Sequence, residues 1–148
     1  MAPPTFASPL VAHVMRLSPG DDLSRIVEYC AERRLGATSV LSCVGSLSQV
    51  RLRLAGAEDF LQLSENLEIV SLVGTICADR SHHLHLSVAK RDGSVVGGHL
   101  KGAATVETTA EVVLGEMPAL RFEREVDDAT GYLELQLHHA SGTASREP

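Results

Sequence analysis

The sequence predicts an α+β domain: a mainly antiparallel β-sheet with one flanking α-helix. Two observations carry that prediction. Short β-branched segments follow one another at close spacing, bounded by Gly, Ser or Asn, and only one stretch shows clear helical periodicity. A chain of 148 residues fits one domain and is long enough to bury a sizeable core.

The chain opens with a Pro-rich arm, residues 1–9, expected to be flexible. VAHVMRL (11–17) reads as the first strand. After Ser18-Pro19-Gly20 a helix is expected, with Asp21 as N-cap and Leu23, Ile26, Val27 and Cys30 on its apolar face. Arg33 and Arg34 suit the negative end of its dipole, and Gly36 is placed as the residue that ends it.

Strands are then expected at 38–45, 49–54 and 67–76, and QVRLRL (49–54) alternates as a strand with one solvated face does. Further strands follow at 83–90, 95–100, 104–114, 120–125 and 132–139. Val106, Thr108, Thr109, Val112 and Val113 favour strand over helix in the 104–114 region. The folded domain is placed at 10–139, and the polar residues 140–148 are expected to form a flexible tail.

Composition narrows the function classes. With no Trp, two Tyr and three Phe, the core must come from Leu, Val, Ile and Ala, and aromatic platforms for stacking bases are scarce. A net charge of −6 argues against direct nucleic-acid binding, which draws most of its affinity from phosphate neutralisation. Cys30, Cys43 and Cys77 are widely spaced in apolar runs and form no CxxC, so buried reduced thiols are expected. Neither a secretory leader nor a bilayer-length apolar run is evident, and the expected location is intracellular: cytoplasmic, with the nucleus second.

Chemistry concentrates in SHHLHLSVAKRDGSVVGGHL (81–100), which holds four of the seven histidines. In a strand, His83 and His85 share a face, while His82 points the other way with Leu84 and Leu86. Whether His99 joins them depends on the hairpin. A two-residue Asp92-Gly93 loop sets His85 opposite Leu100; a three-residue Arg91-Asp92-Gly93 loop sets it opposite His99. Asp-Gly suits both loops, and Gly97-Gly98 could add a bulge. If the three meet, their imidazoles leave a fourth position on a tetrahedral ion for a water or a small anionic ligand.

Hydrolase or lyase chemistry would also need a proton-handling group. Glu107, Glu111 and Asp92 are the candidates, each also readable as a surface or turn residue, and no complete catalytic constellation emerges. Arg51 and Arg53 share a strand face suited to an anion or simply to solvent. His13 reads as a strand residue and His138-His139 as a surface end. No nucleophile elbow surrounds Ser87, and no phosphate loop occurs.

The same stretch resembles the PPC domain, the "plants and prokaryotes conserved" domain. The resemblance lies in His83-Leu84-His85-Leu86-Ser87, Asp92-Gly93 and Gly97-Gly98-His99-Leu100. It extends to Val44-Gly45-Ser46-Leu47-Ser48-Gln49-Val50-Arg51-Leu52-Arg53, to Glu68-Ile69-Val70-Ser71-Leu72-Val73-Gly74 and to Thr109-Ala110-Glu111-Val112, and covers about residues 10–139. It implies a compact homotrimer in which His83, His85 and His99 hold a divalent metal ion, zinc being the usual one, and it favours the three-residue turn.

No AT-hook precedes the domain, and Glu65-Asn66-Leu67 stands where plant members carry Gly-Arg-Phe. The DNA-binding and factor-recruiting roles of plant members therefore do not carry over. The expectation is a trimeric protein holding a divalent metal and a small ligand. The alternative is a non-catalytic assembly or regulatory module, with a DNA-binding regulator third.

Overall fold

A computed structural model describes residues 3–56 and 58–141. Seven strands and one helix are present among them: β1 (Val11–Leu17), α1 (Ser24–Glu32), β2 (Ala37–Arg53), β3 (Phe60–Cys77), β4 (His82–Ala89), β5 (Val95–Glu116), β6 (Leu120–Val126) and β7 (Leu133–His139). Every strand pairing is antiparallel.

The main sheet runs β1-β5-β2-β3-β4, and β5 also pairs with β4, so β2, β3, β4 and β5 close into a ring. β5 achieves this through its length. Its start lies between β4 and the end of β2, and its end lies between β1 and the start of β2. Closure pairs residues 85–89 of β4 on both sides, so that stretch presents no free edge.

Two pairs of segments expected as separate strands are each one strand. Residues 46–48 and 101–103, expected to separate strands, lie where the β2–β5 register shifts. Ser64-Glu65-Asn66 does the same in β3, which begins at Phe60 rather than at 67. Bulges use turn-type residues without reversing the chain, so composition alone does not separate the two.

The helix forms over the expected apolar face, with Leu23, Ile26, Val27 and Cys30 buried, but both of its ends differ from expectation. Asp21 does not cap it. The backbone of Asp21 pairs with Val106 and its carboxylate accepts from the Ser18 amide. Asp22 instead accepts from the Ser24 amide and, across to β5, from the Ala104 amide, both at 2.8 Å or less. At the far end Arg34, not Gly36, takes the left-handed conformation (φ 55°), while the Leu35 amide bonds back to Cys30. Gly36 is needed for space: a Cβ there would lie 3.1 Å from the Leu120 carbonyl oxygen.

The core inside the ring is aliphatic, built from residues such as Leu47, Leu52, Leu67, Leu72, Leu84, Leu86, Val88 and Leu114, as the scarcity of aromatics requires. A smaller core of Ala37, Cys77, Leu120 and Phe122 holds the β6–β7 hairpin against the main sheet. Phe6, from the irregular N-terminal segment, packs onto it beside His139. All three cysteines are buried and free. The expected tail, apart from Ala140 and Ser141, lies outside the described residues. No described helix is long and apolar enough to cross a membrane.

Candidate metal centre

The β4–β5 hairpin settles where its histidines stand. The Gly93 amide donates to the Lys90 carbonyl and the Lys90 amide to that of Ser94, with Gly93 in the left-handed region at φ 83°. This is the three-residue turn closed by a glycine bulge. Ala89 therefore pairs with Val95, and the ladder runs without interruption to His85 opposite His99. Leu84, Leu86 and Val88 point into the core, which places His83 and His85 on the outer face.

The three rings converge. Centroids lie 4.7 Å apart for His83–His85, 4.9 Å for His83–His99 and 5.6 Å for His85–His99. One nitrogen from each ring can be chosen so that all lie within 4.8 Å of one another. The Nε2 atoms of His83 and His85 are 3.0 Å apart. Tetrahedral coordination at zinc's usual bond length requires about 3.3–3.4 Å between ligand nitrogens, a small adjustment.

The electrostatics suit a ligand set. Burial, followed by the charges of His83, Arg53, Lys101 and His85, pushes His99 down to about 4. His83 is also lowered, first by burial and then by His85 and Arg124, against an opposing pull from Glu134. Neutral imidazole is the form that binds metals. His99 Nδ1 is buried without a hydrogen-bond partner among the described residues, a deficit that coordination or a further donor would relieve. The donor set thus fits a borderline divalent cation such as zinc.

Gly98, next to His99, answers a steric demand. A Cβ there would lie 2.6 Å from the Arg53 carbonyl oxygen, so the glycine allows β2 to press against β5 at the site. Close approach of backbone to backbone is thus the role of Gly98.

The carboxylates foreseen as proton handlers do not gather here. Asp92 is held in the turn, accepting from the Ser94 amide and hydroxyl. Glu111 is opposite Arg16 and Val44, whereas His99 is opposite Arg53. Nine residues of β2 separate those positions, roughly 30 Å of strand. Glu107 lies on the same outward stretch of β5. His82 turns away and bonds to the Arg80 carbonyl. His13 bridges Tyr29 and Glu116 at 2.9 and 2.8 Å, and His138 faces Glu123.

Other residues approach the cluster from distant parts of the chain. Arg53 shares a cavity of about 400 Å³ with His85 and His99. Arg124, on β6, donates to the Thr75 hydroxyl, and Thr75 is paired with His83. Glu134, on β7, is a carboxylate whose charge acts on His83. Arg53 had a sequence signal in its shared face with Arg51. Arg124 and Glu134 had none, because the packing of a separate hairpin brings them in.

Relatives share both the sequence and the fold. A protein of Synechococcus called bifunctional protein GlmU is 48% identical over 134 residues, covering 90% of this chain and 21% of its own length. The chain spans about a fifth of the length of such curated relatives. A hypothetical protein from Salmonella enterica is 38% identical, with a TM-score of 0.88 over 90% of this chain and 97% of its own. A protein from Archaeoglobus fulgidus described as metal-containing is 29% identical, with a TM-score of 0.74 over 92% of this chain and 99% of its own. The family profile of the Plants and Prokaryotes Conserved domain matches residues 5–118. The chain belongs to that family.

Proposed function

We propose that this protein holds one divalent metal ion per subunit, zinc by best chemical match, through His83, His85 and His99. It acts from the cytoplasm as a homotrimer. The observation that carries the metal reading is the convergence of three ring nitrogens within 4.8 Å, with His85 and His99 directly opposed on neighbouring strands. The metal-containing description of the Archaeoglobus relative supports it.

Three protein ligands leave a fourth position for a small ligand. An ion there would supply a Lewis acid, or would acidify a bound water. The chain's contribution is to fix the rings on a closed sheet, to keep His83 and His99 neutral, and to bring Arg53 and Arg124 beside them. Ligand binding is the core of the reading, and hydrolytic or lyase chemistry is the activity to which such a site would lend itself.

The trimer has its own support. Val14 on β1 and Leu41 and Val44 on β2, the strands flanking β5, are at least half exposed, a surface that another copy would cover. That surface also favours the second reading, a non-catalytic assembly module. Elemental analysis of untagged wild type and His83→Ala, with particle mass on the same samples, tests both. One metal per chain, lost in His83→Ala from an intact trimer, is the expected result. Metal-free wild type after chelator-free purification refutes the metal reading, and loss of the trimer together with the metal moves the histidines to assembly.

A further inference from the structure

The cavity beside the histidines has a chemistry of its own. It encloses about 400 Å³, within the range of small-molecule sites, and opens between the end of β2, the loop that follows it, and the paired segments of β4 and β5. His85 and His99 form one wall. Arg53 is its cation, Ser71 and Ser87 supply hydroxyls, and much of the rest is apolar, including Leu54 and Ala55.

Three features narrow the ligand. The Arg53 guanidinium forms no ion pair or hydrogen bond with another described residue, although its charge reaches His83 and His99. Its neighbour Arg51, by contrast, is engaged, lying 3.6 Å over the Phe60 ring. The two serine hydroxyls are 2.6 Å apart and satisfy each other, so they offer an incoming group little beyond a spare lone pair or proton. One guanidinium fork matches either anion, but it satisfies both oxygens of a carboxylate and leaves the remaining oxygens of a phosphate without a donor.

We propose that the cavity binds a small organic carboxylate, its carboxylate held by the Arg53 guanidinium and its short apolar body lying along Leu54, Ala55 and Gly97. The assignment rests on the three-histidine reading, because the ligand's charged end lies toward the position the ion leaves open. Arg53 is thus the specificity-determining residue. A neutral ligand would leave its cation unpaired in a partly enclosed site.

Calorimetric titration of zinc-loaded protein with butyrate, butyramide and inorganic phosphate tests this, with zinc content measured on every sample. Wild type is expected to bind butyrate at least about tenfold more tightly than butyramide, the scale of one charge-assisted contact. Arg53→Gln is expected to keep its zinc and lose butyrate binding by about the same factor. Arg53→Lys, which keeps the charge without the planar fork, is expected to fall between them and serves as the variant if Arg53→Gln does not fold.

Absence of butyrate binding by wild type, equal binding of butyrate and butyramide, or an unchanged Arg53 variant each overturns the proposal. Tighter binding of phosphate overturns the carboxylate class. If wild type takes up no zinc, the metal reading fails by itself. An Arg53-dependent preference for butyrate in that metal-free protein still supports the proposal, and its absence overturns it.

Discussion

Gly98→Ala is the sharpest single test of how the site is built. The added Cβ would lie 2.6 Å from the Arg53 carbonyl oxygen and 3.4 Å from the Leu52 Cβ. Tolerable carbon–oxygen contacts begin near about 3.3 Å, so β2 and β5 must separate by roughly 0.7 Å. Neither strand is free to move, since β5 is paired with β4 on its other side and Leu52 is buried in the ring. Overpacking of this kind costs about 1–3 kcal/mol, or roughly 4–12 °C in melting temperature for a domain of this size.

Gly93→Ala is the matched control. Gly93 has a φ of 83° and nothing within 4 Å of the added atom, so its cost is backbone strain alone, about 1–2 kcal/mol. Only Gly98 adjoins His99, so zinc affinity measured by chelator competition should weaken in Gly98→Ala and hold in Gly93→Ala. A Gly98→Ala protein that melts within about 1 °C of wild type and retains its zinc affinity would refute the close approach of β2 to β5.

Metal-stripped protein should lose stability in acid through the site itself. His99 is pushed down to about 4 from an ordinary value of 6.5, and His83 is lowered as well, so the unfolded chain binds their protons more readily. That contribution is complete above about pH 6.5 and declines as pH falls toward 4; urea midpoints at pH 7 and pH 5 should differ less in His99→Gln than in wild type. Val14→Glu and Val44→Glu put charges on residues 75% and 55% exposed, and should leave a folded chain of lower mass by light scattering. An unchanged mass would remove those faces from any interface. Arg34→Gly relieves a left-handed arginine at φ 55° and should stabilise the protein by about 0.5–1 kcal/mol in urea unfolding. A destabilised variant would mean that the side chain matters more than the backbone.

What could be read from the sequence follows from how local the determining interactions are. The turn over Lys90–Ser94 sets a register within one hairpin, so His83, His85 and His99 could be placed on one face once its length was known. Asp-Gly permitted two lengths, and family resemblance favoured the one that forms. Strand existence was likewise local, carried by β-branched runs. Strand continuity was not. Residues 46–48 and 101–103 become bulges rather than breaks between strands only because β2 and β5 lie side by side along most of their lengths.

The same distinction divides the site. The three clustered histidines belong to a single hairpin, whereas Arg53 arrives through β2–β5 pairing and Arg124 and Glu134 through docking of the β6–β7 hairpin. Glu107 and Glu111 were attractive because they follow His99 in sequence, but an extended strand carries such neighbours away at about 3.3 Å per residue. A long strand thus separates residues that sequence places close together, and ring closure joins residues that sequence places apart. Metal affinity should accordingly answer to changes within the β4–β5 hairpin, and ligand choice to changes at Arg53. Variants that alter one property while sparing the other would show that the two were built by different parts of the chain.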